Sequence, residues 1–144
     1  MNASTPEPQK PAVLFVCVKN GGKSQMAAGL MALEAGHAVT ITSAGTHPGA
    51  AINDLSAAVL LDLGVDITHE TPQALSDDMM RSAGLVIVLG AEAQVAPVEG
   101  VRVEVWQTDE PSLRGIDGRE RMELVRDDIH ARVKQLAQRL LTSD

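Results

Sequence analysis

The chain is short of several residue types, and each shortage removes a class of function. Cysteine occurs once, as Cys17, so no disulfide can close inside the molecule. Tyrosine is absent and Phe15 and Trp106 are the only aromatic residues, which leaves little to wall a pocket for a ring-bearing ligand. Basic residues are outnumbered 12 to 19 by acidic ones, for a net charge of -7, so no basic field draws in a nucleic-acid backbone. An anion that binds here must therefore be held by local geometry. No apolar run approaches the roughly 18 residues that read as a membrane span. His37, His47, His69 and His130 lack metal-ligand spacing, and neither a catalytic metal nor a bound cofactor is expected. The first ten residues lack the charged-then-apolar order of a signal peptide. Residues 1–11 read as a disordered lead-in, and the reducing cytoplasm is the expected location.

What is present suits one domain over residues 12–144. The 144-residue chain is 44% apolar and 22% charged, the usual globular balance, and is long enough to bury a core. Residues 12–16 form a continuous apolar run before a glycine-containing stretch, as in a strand buried on both faces. Met26, Leu30 and Leu33 share a helical spacing within residues 22–35. Residues 39–41 read as a second strand that runs into Ser43-Ala44-Gly45-Thr46. Ile52, Leu55, Val59, Leu60 and Leu63 mark a second amphipathic helix, stopped at Gly64. Ser76 reads as the N-cap of a short helix carrying Met79 and Met80. Residues 85–89 form a third buried strand and residues 101–106 a fourth. Met122, Val125, Ile129, Val133, Leu136 and Leu140 step by three and four along a closing helix. Strands alternating with helices predict an α/β domain: a four-stranded parallel sheet flanked by helices on both faces. Such sheets bind ligands beyond the carboxyl ends of their strands, which is where Cys17 falls.

The stretch Cys17-Val18-Lys19-Asn20-Gly21-Gly22-Lys23-Ser24 joins that first strand to the first helix. Gly21 and Gly22 let the backbone turn several N–H groups toward one anion. The helix N-terminus adds partial positive charge, and Lys23 and Lys19 add full charges. The same field favours the thiolate form of Cys17, and Ser24 is placed to donate its hydroxyl to the sulfur. Asn20 fits as the side chain that pins the loop, since asparagine tolerates unusual backbone angles. A lone cysteine is most often a small buried hydrophobe, and Gly-Gly-Lys-Ser before a helix also suggests a nucleotide P-loop. The P-loop requires an earlier glycine four residues ahead of Gly-Lys-Ser, and none is there. A cysteine at the strand end, seven residues before Ser24, fits an oxyanion cradle.

With these residues in view, the chain resembles the low-molecular-weight protein tyrosine phosphatase superfamily. The similarity rests on Val13-Leu14-Phe15-Val16-Cys17, the Cys-x5-basic-Ser spacing, Gln25-Met26-Ala27-Ala28, Ser43-Ala44-Gly45-Thr46, Gly64-Val65-Asp66-Ile67 and Val125-Arg126-Asp127-Asp128-Ile129. It extends over about residues 12–140, and it is strongest toward the arsenate reductase branch. The resemblance implies a four-stranded parallel sheet, Cys17 as nucleophile and the backbone from Val18 to Ser24 as oxyanion cradle. It also implies a general acid on an acid-Pro loop. In Thr108-Asp109-Glu110-Pro111 the match is Glu110, with Asp109 as the alternative, where the family usually carries aspartate. The cradle ends on Lys23 where the family usually carries arginine, whose fork holds two oxygens.

Arsenate reductases that use thioredoxin carry two further cysteines to pass a disulfide outward, and this chain has neither. The resemblance therefore leads to the actinobacterial arsenate–mycothiol transferases. In that reading Cys17 or the loop activates arsenate for a low-molecular-weight thiol, mycothiol or glutathione, as co-substrate. A glutaredoxin-like redoxin then acts on the arseno-thiol product. Two rivals remain, a tyrosine phosphatase and a non-catalytic oxyanion-binding regulator. Phosphatases of the superfamily carry aromatics after the acid-loop proline, where this chain has Ser112, Leu113 and Arg114, and a proline after the cradle serine, where it has Gln25. Arg114, Arg119 and Arg121 near the acidic loop are placed to guide an anionic thiol, though a solvated helix start is the plainer reading. Trp106 suits either core or interface.

Overall fold

A computed structural model describes residues 10–142; most of the expected lead-in, residues 1–9, lies outside the described residues. Four strands, β1 (Ala12–Cys17), β2 (Thr40–Gly45), β3 (Leu85–Leu89) and β4 (Arg102–Trp106), form one parallel sheet in the order β2-β1-β3-β4. The helices are α1 (Lys23–Ala35), α2 (Asp54–Leu61), α3 (Asp77–Ala83) and α4 (Gly118–Thr142), with 3₁₀ turns at Gly36–Ala38 and Pro111–Arg114. The expected four-stranded parallel α/β architecture is the observed one.

The run in β1 is unbroken because the strand is central and both its faces are covered. Val13 and Phe15 join Ile87 and Leu89 of β3 in a core with α1, α2 and α4, while Leu14 and Val16 pack with Val86, Val88 and Met80 of α3. Helices thus cover both faces. On α4, Val125, Ile129, Val133 and Leu136 are buried, and Met122 and Leu140 pack against the same core. Ser76 caps α3 by accepting from the Met79 amide at 3.2 Å, and Gly84 ends that helix in the left-handed conformation.

Other expectations need correction. Leu33 and Leu55 are 49% and 39% exposed; the buried stripe of α1 is Met26, Ala27, Leu30 and Met31. Ala27 is fully buried in the same core as the larger residues of that stripe. The second strand starts one residue later and runs to Gly45. β4 is an edge strand whose Val103 and Val105 face outward. Trp106 belongs to the core side: it is half-buried, its ring 6.0 Å from that of Phe15 at 55°. Among the described residues no helix is long and apolar enough to cross a membrane.

Candidate active site

β1 carries the chain through the sheet and releases it at Cys17; α1 begins six residues later at Lys23. The loop between them is shaped from outside. The carbonyls of Cys17, Val18, Lys19 and Gly21 accept from the amides of Thr46, His47, Gly49 and Asn53 at 2.7–3.1 Å. With its carbonyls drawn outward to this one segment, the loop turns its amides to the inner side. The first turn of α1 has no side-chain cap, so the helix N-terminal N–H groups stay available to an anion.

Two glycines permit this close seating. A Cβ on Gly21 would lie 2.8 Å from the Ala51 carbonyl oxygen, and one on Gly45 would lie 2.6 Å from that of Val18. Gly45 stands at the end of β2, directly beside Cys17 in the register. In the sequence Gly45 is marked only as a position of Ser43-Ala44-Gly45-Thr46.

Asn20 holds the loop from within. It is fully buried with φ +55°, the left-handed region that asparagine tolerates better than most residues. Its Oδ1 accepts from the Gln73 amide at 3.0 Å and from Gln25 Nε2 at 3.3 Å. A backbone N–H can only donate, so this contact orients the side-chain amide without ambiguity. Nδ2 then donates to Ser24 Oγ at 2.8 Å and to Ser43 Oγ at 3.1 Å. Ser24 Oγ is 2.9 Å from Cys17 Sγ, and the Asn20 amide donates to that sulfur at 3.3 Å. Because Ser24 Oγ already accepts from Asn20, its own proton is free to point at the sulfur. Two donors thus converge on the Cys17 sulfur. Ser43, Gln25 and Gln73 are the parts of this network that the sequence reading missed as functional. Ser43 and Gln25 were visible only as motif positions, and Gln73 carries no local signal at all.

Above the loop lies a cleft of about 570 Å³, lined by Cys17, Val18, Lys19, Gly21, Gly22 and Lys23 of the loop and by Asn53, Leu89, Glu92, Arg121, Met122 and Val125 opposite. No aromatic side chain lines it. Neither acid-loop carboxylate lines it either. Asp109 turns to Arg114 in a two-point pair of 2.8 and 3.1 Å, which holds its carboxyl below the ordinary aspartate range. Glu110 stands at the rim. Its Oε2 accepts from Ser112 Oγ at 2.8 Å and from Arg121 Nε at 2.9 Å, and its Oε1 lies 3.7 Å from Lys23 Nζ. The Ser112 hydrogen bond, then Arg121 and then the Lys23 charge hold this carboxyl below the ordinary glutamate range. Both candidate acids are therefore ionised near neutrality. Of the three arginines near the loop, Arg114 is taken by Asp109 and Arg119 by Asp62 and Glu123; only Arg121 lines the cleft. Among the described residues no three histidine, cysteine or acidic side chains cluster as a metal would require.

The parallel α/β sheet delivers its one cysteine into a glycine-containing loop that leads into the uncapped N-terminus of α1. Residues 12–143 match the model of the low molecular weight phosphotyrosine protein phosphatase family, and the chain belongs to that family. Arsenate reductase 1 of Staphylococcus epidermidis is 32% identical over 137 residues, which span 92% of this chain and 99% of that one. A thioredoxin-dependent arsenate reductase of Corynebacterium glutamicum has a solved structure that superposes with a TM-score of 0.81 at 30% identity. That match spans 96% of this chain and 66% of the Corynebacterium chain, just under two thirds of its length. The tyrosine phosphatase of Erwinia amylovora shares the fold, with a TM-score of 0.78 at 18% identity over 96% of this chain and 99% of its own.

Proposed function

We propose that the protein is an arsenate reductase that works by transferring arsenate to a low-molecular-weight thiol of the mycothiol or glutathione type. The carrying observation is the pairing of a complete cradle around Cys17 with the absence of any second cysteine. Relatives named arsenate reductase support the substrate, and the aromatic-free cleft speaks against a phosphotyrosine ring. A cleft of about 570 Å³ is far larger than one tetrahedral anion needs and leaves room for a thiol beside it.

In this reading the Cys17 thiolate attacks arsenic; a sulfur–arsenic bond forms, an arsenic–oxygen bond breaks, and the oxygen departs as water after taking up protons. The small thiol then displaces Cys17, which leaves as thiolate, and arsenic is still pentavalent. Alternatively the cradle presents arsenate directly to the small thiol, with the same product. Reduction follows when a glutaredoxin-like redoxin attacks the sulfur of the arseno-thiol. A sulfur–sulfur bond forms and the electron pair of the sulfur–arsenic bond passes to arsenic, which leaves as arsenite. One cysteine suffices for the transfer and cannot complete the reduction alone.

The test is arsenate-dependent turnover of the purified protein with thioredoxin, with glutathione plus glutaredoxin, and with mycothiol plus its reductant, using para-nitrophenyl phosphate as control. Turnover confined to a small-thiol arm is the expected result. Turnover sustained by thioredoxin alone would sink the transfer scheme, and phosphate-ester hydrolysis without arsenate turnover would make the protein a phosphatase.

A further inference from the structure

The cradle ends on a lysine, and the lysine is not committed to the cradle. Lys23 Nζ lies 3.7 Å from Glu110 Oε1 and beside Gly90 at the end of β3. The other oxygen of the same carboxylate is held twice by Arg121, through Nε at 2.9 Å and Nη2 at 2.8 Å. Among the described residues Arg121 Nη1 has no acceptor, and the side chain is one-third exposed in the wall of the cleft. Glu110 is thus a negative group lodged between two cations at the mouth of an anion site, hydrogen-bonded to Arg121 and ion-paired with Lys23. A tetrahedral oxyanion offers the same thing: oxygens spaced to accept from an ammonium and from a guanidinium fork. The neighbouring arginines cannot substitute, since Arg114 and Arg119 are turned to other carboxylates.

We propose that Arg121 is an oxyanion-binding residue, supplying from α4 the guanidinium fork that Lys23 lacks, and that Glu110 fills its contact until the oxyanion arrives. The proposal rests on reading the Cys17 loop as an oxyanion cradle. It also assigns Glu110 two successive states. In the empty site it is an ionised counter-charge. Once the oxyanion takes Arg121 and Lys23, Glu110 loses the cations that keep it ionised and gains a negative neighbour. Both changes favour its protonation, which prepares it to give a proton to the departing oxygen.

The test is titration calorimetry with inorganic phosphate, which binds without turnover, on the full chain and on Arg121→Ala, Arg121→Lys and Glu110→Gln, with thermal melts as a folding control. Arg121→Ala is expected to weaken phosphate binding roughly tenfold or more, the scale of a charge-assisted hydrogen-bond pair. Arg121→Lys should restore little of the loss, and Glu110→Gln should tighten binding by removing the competitor. Arg121→Gln, which keeps the stem and one donor, serves if the alanine variant does not fold. Unchanged affinity in Arg121→Ala, full recovery in Arg121→Lys, or weaker binding in Glu110→Gln would each overturn the proposal. If the unmodified protein binds neither phosphate nor arsenate, the cradle reading fails as well, so the two failures are told apart.

Discussion

At the scale of single residues, the site depends on Asn20 as much as on Cys17. Cys17→Ser exchanges one half-buried atom and is expected to abolish turnover while the melting temperature stays within a few degrees of the parent. Full residual activity in that variant would remove Cys17 from the mechanism. Asn20 is different, because its side chain makes four hydrogen bonds in a fully buried position. Asn20→Ala leaves the Gln73 amide and two hydroxyls short of partners and sets a Cβ-bearing residue without a polar tip in the left-handed region. A loss of roughly 2–4 kcal/mol is expected by urea denaturation, with slower alkylation of Cys17 in the protein that remains folded. Asn20→Gly, which relieves only the backbone, should recover part of the stability and none of the alkylation rate. Glu110 makes a pH prediction. Its folded pKa lies below its unfolded value, so the ion-pair cluster contributes stability that is complete above the ordinary glutamate value of about 4.3 and fades as pH falls through the lower folded value. The urea-midpoint gap between the parent and Glu110→Gln should therefore be widest near neutrality and narrow below about pH 4. Lys23 from α1, Arg121 from α4 and Ser112 from the 3₁₀ turn are the groups that face this carboxyl. A gap independent of pH would show that these contacts do not discriminate between its two charge states.

At the scale of elements, what was legible followed from periodicity, and what was not followed from contacts between distant segments. Val133 and Leu136 announce the buried face of α4 because a helix places positions three and four apart on one side. The Cys17–Ser24 loop was legible for a related reason: strand end, glycines, lysine and helix start are contiguous, so the chemistry sits in one stretch of eight residues. Ser43 comes to the site from β2, Gln73 from the segment before α3 and Arg121 from α4; Ser43 is marked only as a motif position, Arg121 only as one of three arginines near the acidic loop, and Gln73 by no local pattern. Leu33 and Leu55 show the limit of periodicity itself: two apolar residues on helical spacing stayed at the surface, while small Ala27 and Ala57 took the seam. The junction of β2 with the cradle is the element-level contact most open to test. In Gly45→Ala the new methyl would meet the Val18 carbonyl oxygen at 2.6 Å and Asn20 at 3.0 Å, and neither can retreat without moving the cradle. Turnover should fall by at least tenfold for a stability cost of roughly 1–3 kcal/mol. Ile129→Ala in the α4 core should show the opposite balance, losing roughly 2–5 kcal/mol while the KM for arsenate holds. If both variants lose activity in proportion to stability, Gly45 acts only through the general fold.

At the scale of the whole molecule, the net charge and the cysteine count constrain the chemistry together. A chain with a formal charge of -7 opposes the approach of a divalent anion, yet the cleft collects Lys19, Lys23 and Arg121 around amides already turned inward. Exposed charges farther away than the Debye length, about 10 Å at 0.1 M salt, are largely screened, so the field at the cleft is set by Lys19, Lys23 and Arg121 against the nearby Glu92 and Glu110. Binding should then be selective for small compact anions and indifferent to polyanions, whose length would run across the acidic surface. The single cysteine adds a chemical constraint that no substitution at the surface relieves. In the proposed transfer, productive release of Cys17 falls to a thiol from another molecule, because hydrolysis by water would only return arsenate. Two measurements by mass spectrometry follow. In the folded protein iodoacetamide should add one group, at Cys17, and inorganic phosphate should slow that addition because it fills the space over the sulfur. After incubation with arsenate and no thiol, the protein should show either no change or a single arsenic adduct, with no product appearing in repeated turnover. Adding a small thiol should clear the adduct and release an arseno-thiol in its place. Arsenite appearing with arsenate alone would require electrons that one cysteine in one chain cannot supply without pairing two chains through a disulfide. A covalent dimer on a non-reducing gel under those conditions would replace the small thiol with a second copy of the protein.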